Sequence, residues 1–141
     1  MLLHRLPARV RNFAAVGAIG FVIDAGVLSA LTHLAGWSPW AARAPSFAAA
    51  VLATWLLNRR LTFPGLGLQR RSVEALGYGA IQVCGAGVNL LIFGVCLATF
   101  PRLAAVPVIP FAVGAGVAMV FNYVALKRLL YARERAAREH S

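Results

Sequence analysis

Four long apolar runs constrain the fold of this chain more than any other feature. They cover about residues 13–34, 44–62, 75–100 and 108–126. A helix needs about 20 apolar residues to cross the hydrocarbon of a bilayer, and each run is about that long. We therefore predict an all-α integral membrane bundle of four transmembrane helices. It would form a single domain over residues 1–141, with a polar helical tail over about 127–141.

Charge and composition favour a membrane over a soluble partner. The chain is 60% hydrophobic, and its net charge is +10. Its basic residues flank the apolar runs, so we expect contacts with anionic phospholipid rather than with nucleic acid. Of the 14 Lys and Arg residues, only Arg43 and Arg102 fall on one side of the predicted bundle. The positive-inside rule then places both termini and the middle loop in the cytoplasm, which predicts a multi-pass protein of the cytoplasmic (inner) membrane.

The first residues allow two interpretations. Arg5, Arg9 and Arg11 alternate with apolar residues in Met1–Asn12, which is typical of an amphipathic segment lying on the membrane. A cleaved signal peptide is the alternative. The apolar run that follows is longer than a signal peptide needs and contains Asp24, so the surface segment is favoured.

The second and fourth runs end in similar segments, Trp55–Phe63 and Tyr123–Tyr131. In one register Trp55 matches Tyr123, Arg59-Arg60 match Lys127-Arg128, and Phe63 matches Tyr131. Each segment is typical of a membrane helix end, with cations at the headgroups and an aromatic ring at the interface. In the first and third runs Gly20 matches Gly85 and Asp24 matches Asn89, and Thr54 matches Asn122 in the second and fourth. These matches predict two parallel repeats of two helices each.

Several polar side chains occupy the predicted spans. Asp24 costs at least about 2.5–3.5 kcal/mol at mid-membrane, so it should face protein or a wet cavity. Gly17, Gly20 and Asp24 share one helix face, and Gln82, Gly85 and Asn89 repeat this spacing. Thr54, Asn58 and Asn122 add polar groups. Two interpretations stay open: a polar groove, or packing in which a protonated Asp24 bonds Asn89 or Asn122.

The basic helix ends also have two interpretations. Arginine makes paired, charge-assisted hydrogen bonds to phosphate oxygens. Arg59, Arg60, Lys127 and Arg128 could therefore form one cytoplasmic phosphate site. The alternative is that they only anchor the helix ends. The candidate substrate-binding residues are Asp24, Thr54, Asn58, Arg59, Arg60, Gln82, Asn89, Asn122, Lys127 and Arg128.

The sequence carries no catalytic constellation. It lacks a paired-carboxylate site, a plausible Ser-His-acid set, a phosphate-binding P-loop and a Cys/His cluster with metal-ligand spacing. We therefore predict a protein that is not an enzyme and has no metal site and no cofactor.

Short motifs over about residues 9–131 resemble the GtrA-like family. The Arg-aromatic opening and Val-Gly of that family match Val10–Gly17, and its Asn-Arg-Arg motif with a following aromatic matches Leu57–Phe63. The second copy departs from the pattern: Phe121–Tyr123 fits, but Leu126–Arg128 has leucine for asparagine and lysine for one arginine. The resemblance implies a compact four-span body with a role in making cell-surface polysaccharide. It also implies movement of polyprenyl-phosphate-linked sugars beside a membrane glycosyltransferase.

The resulting functional prediction is translocation of a polyprenyl-phosphate-linked sugar across the cytoplasmic membrane. A cationic site would bind the phosphate, and a polar groove would bind the sugar hydroxyls. One alternative is a non-transporting accessory that recruits or stabilises a glycosyltransferase. A small multidrug-type exporter is another, since that class also has four short helices and an acid in the first, but the arginine-rich helix ends fit it poorly. Assembly of several copies into a homo-oligomer is left open.

Overall fold

The computed structural model describes residues 7–106 and 108–131, and within them the chain is helical apart from short connections. The four long helices are α1 (Ala8–His33), α2 (Pro39–Leu57), α3 (Arg71–Thr99) and α4 (Val108–Ala125). A π-helical turn extends α2 over Asn58–Thr62 and α4 over Leu126–Leu130, and a 3₁₀ turn over Pro101–Ala105 joins α3 to α4. The predicted tail over about 127–141 and the predicted segment Met1–Asn12 lie partly outside the described residues.

The helices form a membrane bundle, as predicted. Three stretches are long and apolar enough to cross a bilayer: Ala8–His33, Arg71–Thr99 and Ile109–Leu130. Large apolar side chains cover their outer faces, among them Phe21, Leu76, Leu90 and Leu91. Water would make such a surface costly, whereas lipid tails cover it without penalty. The remaining long helix, α2, packs along α1.

The helix starts differ from the predicted boundaries. α2 begins at Pro39 rather than near residue 44, because the Ser38 hydroxyl caps it by accepting from the Ala41 N–H at 3.2 Å. Pro45, which lies at the start of the predicted run, falls inside this helix. α1 and α3 also begin four or five residues before their apolar runs. Hydropathy marks the edge of the hydrocarbon, whereas helices continue into the headgroup region, where arginine is well solvated.

The two halves of the chain have the same architecture. α1 packs against α2, and α3 packs against α4. Both hairpins end in a π-helical turn followed by an aromatic residue: the Phe63 N–H donates to the Asn58 carbonyl at 2.8 Å, and the Tyr131 N–H donates to the Leu126 carbonyl at 3.0 Å. These two turns fall at matching places in the predicted register. Such turns are rare, so this coincidence is strong support for the predicted repeat.

A close contact between helices also recurs in both halves. Gly20 of α1 faces Thr54 of α2 so closely that a Cβ there would overlap the threonine methyl. Gly85 of α3 faces Asn122 of α4 in the same way. Small residues let the two helices of each hairpin approach, which is a common packing device in membranes.

An aromatic cluster holds the two halves together. It contains Phe13, Phe63, Tyr78, Leu126, Leu130 and Tyr131. The rings of Phe63 and Tyr131 stack with centroids 4.6 Å apart. These two residues match in the repeat, so the axis relating the halves passes between them. The cluster joins the starts of α1 and α3 to the ends of α2 and α4, which makes the repeats parallel. The prediction that both rings lie at the membrane interface is wrong, because both are buried in protein.

Candidate functional site

A chain of hydrogen bonds connects α2, α3 and α4 inside the bundle. The Thr62 hydroxyl donates to Asn58 Oδ1 at 2.6 Å, and Asn58 Nδ2 donates to the Tyr78 hydroxyl at 2.8 Å. Gln82 Nε2 donates to the same hydroxyl at 2.9 Å, and Asn122 Nδ2 donates to Gln82 Oε1 at 2.6 Å. Each bond uses up polar groups that lipid could not satisfy.

All of these side chains except Thr62 line a cavity that we call the polar cleft. Its volume is about 260 Å³. Its polar lining residues are Thr54, Asn58, Tyr78, Gln82, Asn89 and Asn122, and rings of Phe13 and Phe47 cover part of its wall. The structure thus brings together five of the ten predicted site residues.

Two amide oxygens in this region have no conventional partner. They are the buried Oδ1 atoms of Asn89 and Asn122. A Cβ at Gly114 would overlap Asn89 Oδ1, and one at Gly85 would overlap Asn122 Oδ1. The glycine Cα–H groups therefore point at these oxygens, and weak Cα–H···O contacts of this kind are common where membrane helices touch. The glycines allow the helices to approach and also supply these donors.

Asp24 has a different partner from those predicted. Its Oδ2 accepts from Arg43 Nη1 at 2.7 Å, and its side chain is 17% exposed. The packing interpretation had paired it with Asn89 or Asn122, so that detail is wrong. Arg43 turns toward this acid because an unpaired carboxylate at this depth would be costly.

A second cavity, of about 190 Å³, adjoins the polar cleft at Asp24. It shares Gly17, Thr54 and Gln82 with the cleft. The second carboxylate oxygen, Asp24 Oδ1, is buried without a hydrogen-bond partner. The structure therefore places Asp24 beside the polar cleft, with one carboxylate oxygen bonded to Arg43 and the other facing the second cavity.

The basic helix ends lie in separate surroundings. Arg59 and Arg60 line a cavity of about 380 Å³ together with Arg71, and we call this the basic cavity. Arg128 instead lines an apolar groove along α4, and Lys127 is exposed. The four basic residues were predicted to form one site. The structure instead groups the first pair with Arg71, because the middle loop folds back over the end of α2.

Glu74 is the main residue that the sequence analysis missed. It is completely buried, at 0% exposure, although it precedes the predicted third span of about residues 75–100. Arg59 Nη1 donates to its Oε2 at 2.7 Å, and so does the Leu68 N–H at 2.7 Å. Trp55 Nε1 donates to its Oε1 at 3.0 Å, and the Tyr131 hydroxyl donates to it at 3.2 Å. One carboxylate thus joins α2, the middle loop, α3 and the end of α4.

A sequence signal for Glu74 existed. The predicted stripe on α3 contained Gln82, Gly85 and Asn89. Extending it toward the helix start in steps of four reaches Tyr78 and then Glu74. An acid on the same face as a buried polar stripe indicates a buried acid with a basic partner.

The Tyr131 hydroxyl remains a donor to this carboxylate at neutral pH. Burial of the ring, followed by the negative charge of Glu74, raises the pKa of Tyr131 above its usual range. The protonated hydroxyl can then donate to Glu74 without competition from ionisation.

Metal-binding clusters are not a feature of this site. Within residues 7–106 and 108–131, no group of three or more His, Cys, Asp and Glu side chains could hold a metal ion. The chemistry on offer is hydrogen bonding in the polar cleft and positive charge in the basic cavity.

Comparison with protein families identifies a match that covers most of the chain. The model described as "GtrA/DPMS, transmembrane domain" matches residues 12–131. The match spans both repeats, the polar cleft, the basic cavity and Glu74. It supports a role in the synthesis of membrane glycans or polysaccharides, and with the helical bundle it identifies a multi-pass membrane protein. The chain therefore belongs to the GtrA/DPMS transmembrane-domain family.

Proposed function

We propose that this protein moves a polyprenyl-phosphate-linked sugar across the cytoplasmic membrane, as a membrane component without catalytic activity of its own. The polar cleft is the observation that carries the proposal. It gathers amide and hydroxyl groups inside a bundle whose outer faces are apolar. Hydroxyls of a sugar need such partners when they leave water, because an unmade hydrogen bond in a dry site costs about 1–3 kcal/mol.

The size of the polar cleft supports a small sugar. Sites for drug-sized ligands typically enclose about 300–1,000 Å³, and this cleft encloses about 260 Å³. It suits one sugar ring rather than an oligosaccharide. The prenyl chain would stay in lipid, beside exposed apolar residues of the helices.

The basic cavity would take the phosphate of the lipid. Arg60 and Arg71 are exposed there, while Arg59 is tied to Glu74. Lys127 and Arg128 would contact phospholipid headgroups on the other side of the repeat axis. A membrane glycosyltransferase that makes or uses the sugar lipid would be the protein partner.

A second candidate function is that of an accessory to such a glycosyltransferase. The apolar groove along α4 favours it. This groove, about 720 Å³ in volume, is lined by small and apolar residues including Gly116, Val120 and Val124. A helix of the enzyme could pack there, since small residues allow close approach. The exporter alternative loses support, because Asp24 is paired with Arg43 rather than available for a proton cycle.

The test is movement of a labelled polyprenyl-phosphate sugar in vesicles that contain only this purified protein. Faster movement than in empty vesicles is expected, and Gln82→Leu should remove most of it by breaking the bond to Asn122 and the polar wall of the cleft. Gln69→Leu is the matched control, because Gln69 is exposed in the middle loop. If folded wild-type protein moves no sugar lipid until a glycosyltransferase is added, the accessory function is correct instead.

A further inference from the structure

The three arginines of the basic cavity differ in whether a carboxylate neutralises them. Arg59 is 25% exposed and shares its guanidinium with the buried carboxylate of Glu74. The Gly67 backbone lies so close to this guanidinium that a Cβ there would overlap it. Arg60 and Arg71 are exposed and have no carboxylate partner in the described part of the chain. Among residues 7–106 and 108–131, the cavity therefore presents two positive charges that no carboxylate compensates.

An apolar stripe leads away from this cavity along α2. Leu52, Leu56 and Arg60 follow one another at intervals of four residues, so they share one face of the helix. Both leucines are about half exposed, and Leu56 also lines the cavity. A cationic cavity at the end of an apolar stripe matches a ligand with an anionic end and a hydrocarbon chain.

We propose, resting on the proposed function, that the basic cavity prefers the doubly charged phosphate end of an unloaded lipid carrier. A phosphomonoester carries a charge of about −1.5 to −2 at pH 7. A sugar-loaded carrier and an ordinary phospholipid each have a phosphodiester with a single negative charge. Two uncompensated guanidinium groups match the monoester and leave one charge unmatched with the diester.

This preference would allow the basic cavity to bind the carrier lipid in the presence of excess phospholipid. Phospholipids greatly outnumber any carrier lipid, and their diesters would fill a site that needed only one negative charge. A site that binds more tightly when the ligand carries a second negative charge would select the scarce carrier lipid over the abundant phospholipids. Once the sugar has been transferred, the monoester carrier is what remains, and the basic cavity would bind it when it has returned to the cytoplasmic leaflet.

The direct test compares two probes on purified full-length protein in phosphatidylcholine nanodiscs. Farnesyl phosphate is the monoester, and methyl farnesyl phosphate is the diester with the same chain. We expect the monoester to bind at least about fivefold more tightly, the effect of one extra charge contact at such a surface. Inorganic phosphate should bind much more weakly than either lipid. Equal affinities for the two lipids, or tight binding of inorganic phosphate, would overturn the proposal.

A pH series adds a measurement that depends on the protonation state of the ligand. The second pKa of a phosphomonoester is about 6, so farnesyl phosphate should lose its advantage between pH 7.5 and 5. Farnesyl diphosphate keeps at least two charges at pH 5 and should not lose affinity. Glu74, the carboxylate that contacts an arginine of this cavity, is present with every probe, so a difference between the probes comes from the ligand.

The variant Arg71→Gln tests whether Arg71 is the arginine that binds the second negative charge of the phosphomonoester. It should weaken farnesyl phosphate about fivefold and the diester by less than half of that factor. Arg102→Gln is the matched control, since Arg102 is exposed in the 3₁₀ turn beyond α3. An equal loss of both probes would contradict the charge argument. A selective monoester site without sugar movement in vesicles would refute the proposed function alone, whereas sugar movement without selectivity would refute this inference alone.

Discussion

At the scale of single residues, the buried ion pair of Glu74 gives the strongest prediction about stability. Removing one partner of a buried ion pair costs about 3–5 kcal/mol, and because Arg59 is 25% exposed we expect the lower part of this range. Glu74→Leu should therefore lower the melting temperature in detergent, and Glu74→Gln should lower it less, because its amide oxygen still accepts from Trp55. Ser72→Ala, on an exposed face of the same turn, is the control. An unchanged melting temperature for Glu74→Leu would show that the carboxylate does not hold the halves together.

The ion pair of Asp24 and Arg43 allows the two interpretations of Asp24 to be separated. Asp24→Ala leaves the half-exposed Arg43 without its partner on the apolar body of the bundle, so we expect poor yield of folded protein. The double variant Asp24→Ala with Arg43→Ala removes both charges and should restore the yield. Transport measured on that double variant decides the role. Restored transport indicates packing alone, and folded but inactive protein indicates contact with the sugar.

At the scale of helices, glycine positions predict where two helices touch. A Cβ at Gly114 of α4 would lie 2.7 Å from the main-chain carbonyl of Asn89 in α3. Backbone cannot give way as a side chain can, so Gly114→Ala should cost about 1–3 kcal/mol through overpacking. Gly116→Ala, two residues along the same helix, has open space around its Cβ and should be neutral. Melting temperatures in detergent test this pair, and equal values would mean that the helices do not pack as described.

How far the sequence predicted these elements depends on what each residue contacts. Apolar runs fixed the number of helices, because lipid imposes a length on each span. The helix starts were displaced, because the Ser38 cap extends α2 and solvated arginines extend α1 and α3 in ways that hydropathy does not record. Thr54, Gln82 and Asn122 could be predicted as one polar region because helical spacing puts them on inner faces. The positions of Arg43 and Arg71 could not be predicted, because Arg43 pairs with an acid of another helix and Arg71 joins a cavity at the end of α2.

At the scale of the whole molecule, orientation remains a prediction. The basic residues of the middle loop and of both helix starts lie at the end that holds the aromatic cluster. Positive charge is retained in the cytoplasm, so a reporter that is active only in the periplasm should be inactive when fused after Ser141. The same reporter inserted near Arg102 should be active. The reverse pattern would invert the bundle and place the basic cavity outside the cell.

The repeat is symmetric in its backbone but not in its chemistry. Asn58 donates to Tyr78, while its counterpart in the second half is Leu126, a buried residue with no polar side-chain atoms. Trp55 likewise contacts Glu74, whose counterpart in the first half is Arg9 in the register that matches Gly20 to Gly85. Both hairpins still supply polar groups to the polar cleft, Thr54 and Asn58 from the first and Gln82, Asn89 and Asn122 from the second. Because only Thr54 and Asn122 among these groups match each other in the repeat, the polar cleft is one asymmetric site rather than two equivalent ones, and the proposed sugar would bind there in a single orientation.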